Sequence, residues 1–415
     1  MKKFIILSAK LWPLLVLGLI IRLVLMPITL HPDIWAVSFA QNIFAFKGII
    51  NIYDYLGNLP VDSVLAVNYG RNFFTYPPLA YFTLGFFGLL LKPLFNADFF
   101  INLAANLPNI LDDGRLFWHL FLTKLPYLFF DFGILFLLND YFQEEKKKKL
   151  AVMLWIFNPV VLYTSYMIGQ FDIIPVFFTV LALLLVKKKK FVWAAVSLGV
   201  GGAFKMYPLF FLPFLAFSEG KKIKDIFKIL LVGALPYFLS ILPFLGSVNF
   251  RQTVLLSNQS QKMLFAKMPV SGAEYLSVFV VLYIFLVGIS FLKKIELWKW
   301  FLAVLLLFFS VTHYHPQWFL WLSPFLVFFW VDYPRFRIFP VSLFFCWFLI
   351  LLLFEPSLSV SLFAPVNKSL TFVKPLSESV NRFYDVFAFK SLIRSFFAGM
   401  GLFITALIIK NEETS

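Results

Sequence analysis

The feature that most limits this chain is a series of apolar runs, each near the length of a bilayer crossing, separated by short cationic clusters. The clusters are Lys146–Lys149, Lys187–Lys190, Lys221/Lys222/Lys224, Lys293/Lys294/Lys299, Arg335/Arg337 and Lys410. A helix takes ~20 apolar residues to cross the hydrocarbon core. Positive residues collect in the cytoplasmic loops between such helices. Composition removes the soluble alternatives: 61% of the 415 residues are hydrophobic and only 14% charged, against about 45–50% and about 25% in soluble domains. The net charge of +15 sits largely in the clusters, so it marks loops, and no nucleic-acid partner is expected. A single Cys346 inside an apolar run excludes an intramolecular disulfide and a Cys-based metal site.

Met1-Lys2-Lys3 followed by the apolar run Leu11–Leu30 resembles a signal peptide. The run is long enough to span and no small-x-small cleavage site follows it, so it reads as a retained first span with its N-terminus in the cytoplasm. Next comes a polar, aromatic segment, 29–75, far longer than the ~2–8 residues that usually join bundle helices. Within it Ile34–Phe46 has apolar residues at helical spacing and is expected to lie in the membrane interface. Further runs fall near 76–95, 150–168, 171–186, 191–218, 226–246, 274–292, 300–312, 317–331, 338–354 and 391–409. With every cationic cluster inside, 29–75, Gly169–Asp172, 247–273, Thr312–Gln317 and 355–390 fall outside. The run 191–218 must go out and return, turning near Lys205-Met206-Tyr207-Pro208. A similar break at Lys124-Leu125-Pro126 is expected to divide 116–142 into two short arms, since Pro lacks an amide donor. The expected fold is an all-α polytopic membrane protein. It is one domain over 1–415, of about 12–14 transmembrane helices, with a long first external loop and both termini cytoplasmic.

Polar residues inside apolar surroundings gather on the outer side: Arg22, Asp33, Tyr76, Lys124, Asp131, Gln170, Asp172, Lys205, His313, His315 and Gln317. A charge at bilayer depth costs at least ~2.5–3.5 kcal/mol, so such residues line a site or pair with one another. Asp33 follows the first span almost at once. It is placed to take a proton from a hydroxyl in a transfer reaction, or else to cap the next helix. Asp54 and Asp62 sit amid Asn, Gly and Pro and read as turn residues. Lys205 follows the small-residue stretch Gly199-Val200-Gly201-Gly202, which permits close helix packing. It can hold a phosphate near the membrane surface, or snorkel from a helix end. Lys124 has the same Lys-x-Pro setting, with a salt bridge to Asp131 as its structural alternative. Gln170 and Asp172 can hold sugar hydroxyls or form a tight turn. His315 and Gln317 suit a phosphate or sugar better than a metal, because no clear third ligand joins the two His.

Taken in order, Asp33 after span one, Tyr76-Pro77-Pro78, Lys124-x-Pro126…Asp131, Asn158-Pro159…Gly169-Gln170-Phe171-Asp172, Lys205-Met206-Tyr207-Pro208 and His315-Pro316-Gln317-Trp318 resemble the GT-C superfamily of integral-membrane glycosyltransferases. The similarity runs from about Arg22 to Trp318. It is strongest to the branch with GPI mannosyltransferase I and its prokaryotic relatives that use polyprenyl-phosphate mannose. Gly169-Gln170-Phe171-Asp172 follows the prokaryotic form. The resemblance implies a GT-C-type bundle with its catalytic module in 1–220 and more variable helices in 221–415. It implies an inverting mannosyltransferase of the prokaryotic plasma membrane, working on the outer side. The donor would be a polyprenyl-phosphate sugar and the acceptor a lipid-linked or cell-surface glycan. Asp33 would be the catalytic base, and Lys124, Lys205, Arg71 and His315 would hold the donor phosphate. Gln170, Asp172, Tyr76, Gln317 and Asp131 would hold sugar or acceptor. A lipid donor needs no nucleotide loop, and the sequence shows no Asp-x-Asp pair, so neither cofactor nor metal is called for. The alternative is a transporter or flippase of lipid-linked sugars, which would also place cations in a membrane cavity.

Overall fold

The computed structural model describes residues 11–410 except Tyr314. Met1-Lys2-Lys3, both chain ends and the middle residue of the His313-Tyr314-His315 turn therefore lie outside the described residues.

Helix α1 (Trp12–Ile28) is the first apolar run, with Pro13 in its first turn. The long polar segment 29–75 folds as α2 (Ile34–Lys47), α3 (Ile52–Gly57) and α4 (Val64–Tyr69). The expected interface helix is α2, but it is not half in lipid. Trp35, Val37, Ser38, Phe39, Ala40, Gln41 and Ile43 are all buried, because α2 packs along α5 (Pro78–Leu91). A side chain at Gly88 would strike the Gln41 backbone, so glycine is what lets the two helices close up.

After α5 the chain bends by 118° into α6 (Ala97–Ala105). Asn96 makes the bend, its side chain accepting the Phe99 N–H. The last carbonyls of α6 return to the first external segment. Leu103 O accepts the Tyr69 hydroxyl at 2.7 Å and Ala104 O accepts the Asn68 amide at 2.8 Å. This hairpin changes the expectation for 116–142. Helices α7 (Leu116–Lys124) and α8 (Tyr127–Tyr141) form one 26-residue span, Leu116–Tyr141, not two arms. Leu125 and Pro126 both keep right-handed helical angles, so the missing proline N–H interrupts one bond without reversing the chain.

Helix α9 (Glu145–Ile156) continues through Asn158-Pro159 and a π-helical turn, Leu162–Ile168, as a 24-residue span. There follow α10 (Ile173–Lys187), α11 (Phe191–Gly202), α12 (Leu212–Glu219) and α13 (Ile223–Ile241). Helices α11 and α13 touch through Gly199 and Gly233. The segment between α13 and α14 (Val278–Leu292) carries a short hairpin, β1 (Lys267–Pro269) against β2 (Tyr275–Ser277). Then come α15 (Leu297–Val311), a 3-10 helix Pro316–Trp321, α16 (Ser323–Asp332), α17 (Ile338–Leu352) and α18 (Val386–Lys410).

Among the described residues five helices are long and apolar enough to cross a membrane, or six if the bent α5–α6 pair is one span, and six apolar helices are shorter, at 10–17 residues. The expected 12–14 crossings are approached only when the short helices are included. Short helices suit the interior. Every residue of α15 from Leu297 to Phe309 is buried, so α15 is walled by protein. The outer helices show the opposite pattern: α13 exposes Phe227, Leu231, Leu235, Phe238 and Leu239, a face suited to lipid.

Candidate active site

A cavity of about 670 Å³ opens among α2, α15, the 3-10 turns at Tyr207 and Pro316, and the segments 29–75, 247–273 and 354–358. Its wall brings together Asp33, Tyr76, Gln170, Lys205, His315 and Gln317, six residues spread over nearly 300 positions of sequence.

Asp33 is the residue before α2, yet its side chain makes no cap hydrogen bond. Its Oδ2 instead accepts two carboxamide N–H groups, from Gln170 at 3.2 Å and Gln317 at 3.0 Å. The Gln170 amide also pairs with the Tyr76 hydroxyl. Oδ1 faces His31 Nδ1 at 3.6 Å. That nitrogen already accepts the Asp33 backbone N–H, and burial holds the imidazole below its ordinary pKa. With its Nδ1 lone pair on that N–H, His31 offers Oδ1 no proton there. One carboxylate oxygen is clamped, and the other has no donor among the described residues.

Gly169 delivers Gln170 to this clamp. It closes the π turn at φ +83°, a left-handed conformation that glycine adopts without strain. The Tyr127 hydroxyl holds its carbonyl at 2.9 Å. Asp172, two residues after Gln170, is fully buried and receives Lys205 Nζ on both oxygens, at 2.8 and 2.7 Å, and the Trp321 indole at 2.6 Å. Lys205 also lies 5.3 Å from the centre of the Tyr76 ring and 5.1 Å from that of Phe171. It reaches the cavity as half of a neutral pair, and Asp172 stands behind it, not in the wall.

Lys124 and Asp131 do not line the cavity. The Lys124 ammonium is fully buried and bonds the carbonyls of Met26, Thr29 and Met167 and the Thr29 hydroxyl at 2.6–3.3 Å. It satisfies the open carbonyls at the end of α1, which a helix terminus leaves unpaired. Asp131 does not pair with Lys124. It takes Arg22 Nε at 2.6 Å, the Tyr166 hydroxyl at 2.7 Å and the Trp155 indole at 2.8 Å. Arg71 also stands outside the wall, its Nε buried with no hydrogen-bond partner among the described residues. Asp54, expected at a turn, sits in the first turn of α3 and ties the 29–75 segment to the 247–273 segment by accepting from Ser247 and Asn249.

Lys262 and Glu355 are wall residues that the sequence did not suggest. Lys262 is in a 3-10 turn of the 247–273 segment, with Nζ 5.0 Å from the Trp318 ring centre. No carboxylate pairs with it among the described residues, and burial lowers its pKa. Nothing in the local sequence marks it. Glu355 did carry a signal, since it is the first residue after the apolar run 338–354, as Asp33 nearly is after the first. Beside Lys262, burial and the Lys262 charge push the His315 imidazole down to about 4. Trp318 and Trp321 stack at 5.2 Å, and Trp321 stacks on Tyr207 at 4.4 Å, giving one side of the cavity an aromatic wall. No group of three or more His, Cys, Asp or Glu side chains among the described residues is placed to hold a metal ion.

The fold and this chamber define an integral-membrane helical protein with a cavity, aromatic on one side, around one oriented carboxylate. Residues 74–311, more than half of the chain, match glycosyltransferase family 87, and the chain belongs to that family of polytopic membrane glycosyltransferases. No curated protein matches the chain.

Proposed function

We propose that the chain transfers a sugar, mannose in the first instance, from a polyprenyl-phosphate donor to a hydroxyl of a lipid-linked or cell-surface glycan. The observation that carries this reading is the Asp33 carboxylate, with Oδ2 clamped by Gln170 and Gln317 and Oδ1 open to a cavity that also holds Lys262 and His315. Asp33 Oδ1 takes the proton of the acceptor hydroxyl. The hydroxyl oxygen attacks the anomeric carbon, the carbon–oxygen bond to phosphate breaks, and polyprenyl phosphate leaves with inversion. Its growing negative charge falls to Lys262 and the N–H of His315, fixed donors of the kind that contribute most to such steps. Lys205 contributes less, because Asp172 already neutralises it. Tyr76 and Gln170 meet sugar hydroxyls.

The orientation follows from the cationic clusters. With all of them cytoplasmic, the α5–α6 hairpin returning to its starting side and the short helices crossing too, the chain makes roughly twelve crossings and opens the cavity on the outer face of the plasma membrane. The test is donor choice by the purified protein in nanodiscs. Polyprenyl-phosphate mannose, polyprenyl-phosphate glucose and a nucleotide sugar are compared, with product read by mass spectrometry. Turnover of the nucleotide sugar alone would overturn the lipid-donor reading. Turnover of the glucose donor alone would overturn mannose.

A further inference from the structure

Helix α14 is shorter than a bilayer is thick. Its 15 residues, Val278–Leu292, rise about 22 Å at ~1.5 Å each, against a hydrocarbon core of ~30 Å. Lys293 and Lys294 follow Leu292 directly and, in the orientation proposed above, mark the cytoplasmic boundary. The missing length, about 8 Å, therefore falls beyond Val278, where the chain forms the β1–β2 hairpin. That hairpin leaves Met268, Val270, Tyr275 and Leu276 48–63% exposed, and Phe265 just before it 54%. Met268 is paired with Leu276, so the two share a face, which Val270 joins two residues on. On the other face the Lys267 ammonium lies 3.9 Å from the centre of the Tyr275 ring. The turn Ser271-Gly272-Ala273-Glu274 is polar, with the Ser271 hydroxyl accepting the Glu274 N–H. A two-stranded hairpin is at best marginal in water unless its apolar face is covered. The helix that follows it exposes Val280, Val281, Ile284 and Phe285, a stripe at helical spacing suited to lipid.

We infer that the hairpin is an anchor in the outer leaflet: Met268, Val270 and Leu276 reach the tops of the acyl chains, Lys267 and Tyr275 sit among the headgroups, and the 271–274 turn meets water. Open strand edges cannot lie in hydrocarbon, so the backbone stays in the interface while the apolar side chains reach down. Lys and Tyr are residues of that layer, each with an apolar body and a polar end. The inference rests on the proposed orientation and ties the cavity to the bilayer. Only Phe265 and Ala266 separate β1 from the 3-10 turn Lys262–Leu264. The Ser277 hydroxyl donates to the Met263 carbonyl at 3.5 Å, and the Val278 N–H to the Ala266 carbonyl at 3.0 Å. Lys262 and Met263 are both wall residues of the cavity. A hairpin seated in the leaflet thus holds one edge of the cavity at a fixed height.

A bimane fluorophore on a single cysteine, with Cys346→Ser as background, tests this without turnover in phosphatidylcholine nanodiscs holding the full-length protein. With Met268→Cys labelled, emission should fall about twofold when the lipid carries bromine near the top of its acyl chains, since interfacial side chains reach ~5–10 Å into that boundary. Iodide in the buffer should quench it little. Ser271→Cys should show the reverse. If Met268→Cys does not fold, Leu276→Cys gives the same reading. Iodide quenching at 268 and 276 without quenching by brominated lipid would put the hairpin in water. Quenching by neither would bury it against a second copy of the chain. Either result overturns the anchor. Lipid quenching at 268, with Ser271→Cys labelled in cells only from the cytoplasmic side, would keep the anchor and fail the orientation. Met268→Glu with Leu276→Glu should raise the donor KM about tenfold through the displaced Lys262; an unchanged donor KM would overturn the hold on the cavity edge.

Discussion

The ammonium of Lys205 lies between the two oxygens of Asp172, 2.8 and 2.7 Å away, with both side chains largely out of water. Breaking one side of a buried pair leaves an uncompensated charge and costs about 3–5 kcal/mol. Lys205→Ala should therefore lower the apparent Tm and the folded yield sharply. Lys205→Met with Asp172→Asn should recover much of both. If the double variant regains stability and also regains transfer, Lys205 is structural; stability without transfer would put its charge on the substrate.

Asp33→Asn should retain the wild-type Tm and lose about 10²–10⁴-fold in kcat, the usual contribution of a general base. Gln317→Leu removes one of the two hydrogen bonds on Oδ2. It should lower kcat about tenfold with KM nearly unchanged, as expected when an oriented group is loosened. Initial rates over a range of both substrates separate these outcomes. Full activity in Asp33→Asn would return Asp33 to a helix-start role.

Lys262 offers the cavity a cation with no carboxylate partner among the described residues. Lys262→Ala should raise the donor KM and lower kcat, while Lys262→Arg should recover part of both, the charge surviving with altered geometry. Donor titration at saturating acceptor measures this. Unchanged donor kinetics in the Ala variant would take the lysine out of the phosphate site.

The His315 imidazole titrates at about 4 in the folded protein against an ordinary 6.5. Between those values the unfolded chain binds a proton that the native state does not. Stability is therefore fully present above pH 6.5 and is lost as pH falls toward 4. His315→Asn should flatten this part of the profile. Apparent Tm recorded from pH 7.5 to 4.5 for both proteins checks it, and parallel curves would contradict the burial of His315.

Single cysteines introduced on a Cys346→Ser background report the orientation. Positions 148 and 188 should label only from the cytoplasmic side, and 271 and 379 only from the other. Labelling of 148 and 271 from one side would overturn the topology.

The sequence by itself determined what is local. Apolar runs and cationic clusters made the chain a helical membrane protein, and the break expected near Lys205–Pro208, the turn at Gly169–Asp172 and the helix over 34–46 fall within a few residues of where periodicity, proline and glycine put them. The polar motifs were legible too: Asp33, Tyr76, Gln170, Lys205, His315 and Gln317 do meet in one cavity. Only the tertiary structure decided how the charges are shared. Asp131 could be matched with Lys124, seven residues away, from sequence spacing alone, but its partner is Arg22, 109 residues distant. Lys124 could be assigned to a phosphate, but the end of α1 brings it two carbonyls and the π turn a third. The α5–α6 hairpin removed the reversal that a topology count had required at Pro126. The physical reason is the range of each effect. Helix formation and lipid burial act on neighbouring residues and leave a periodic trace. A buried charge is indifferent to sequence distance, and takes whichever partner the packed helices bring within about 3 Å.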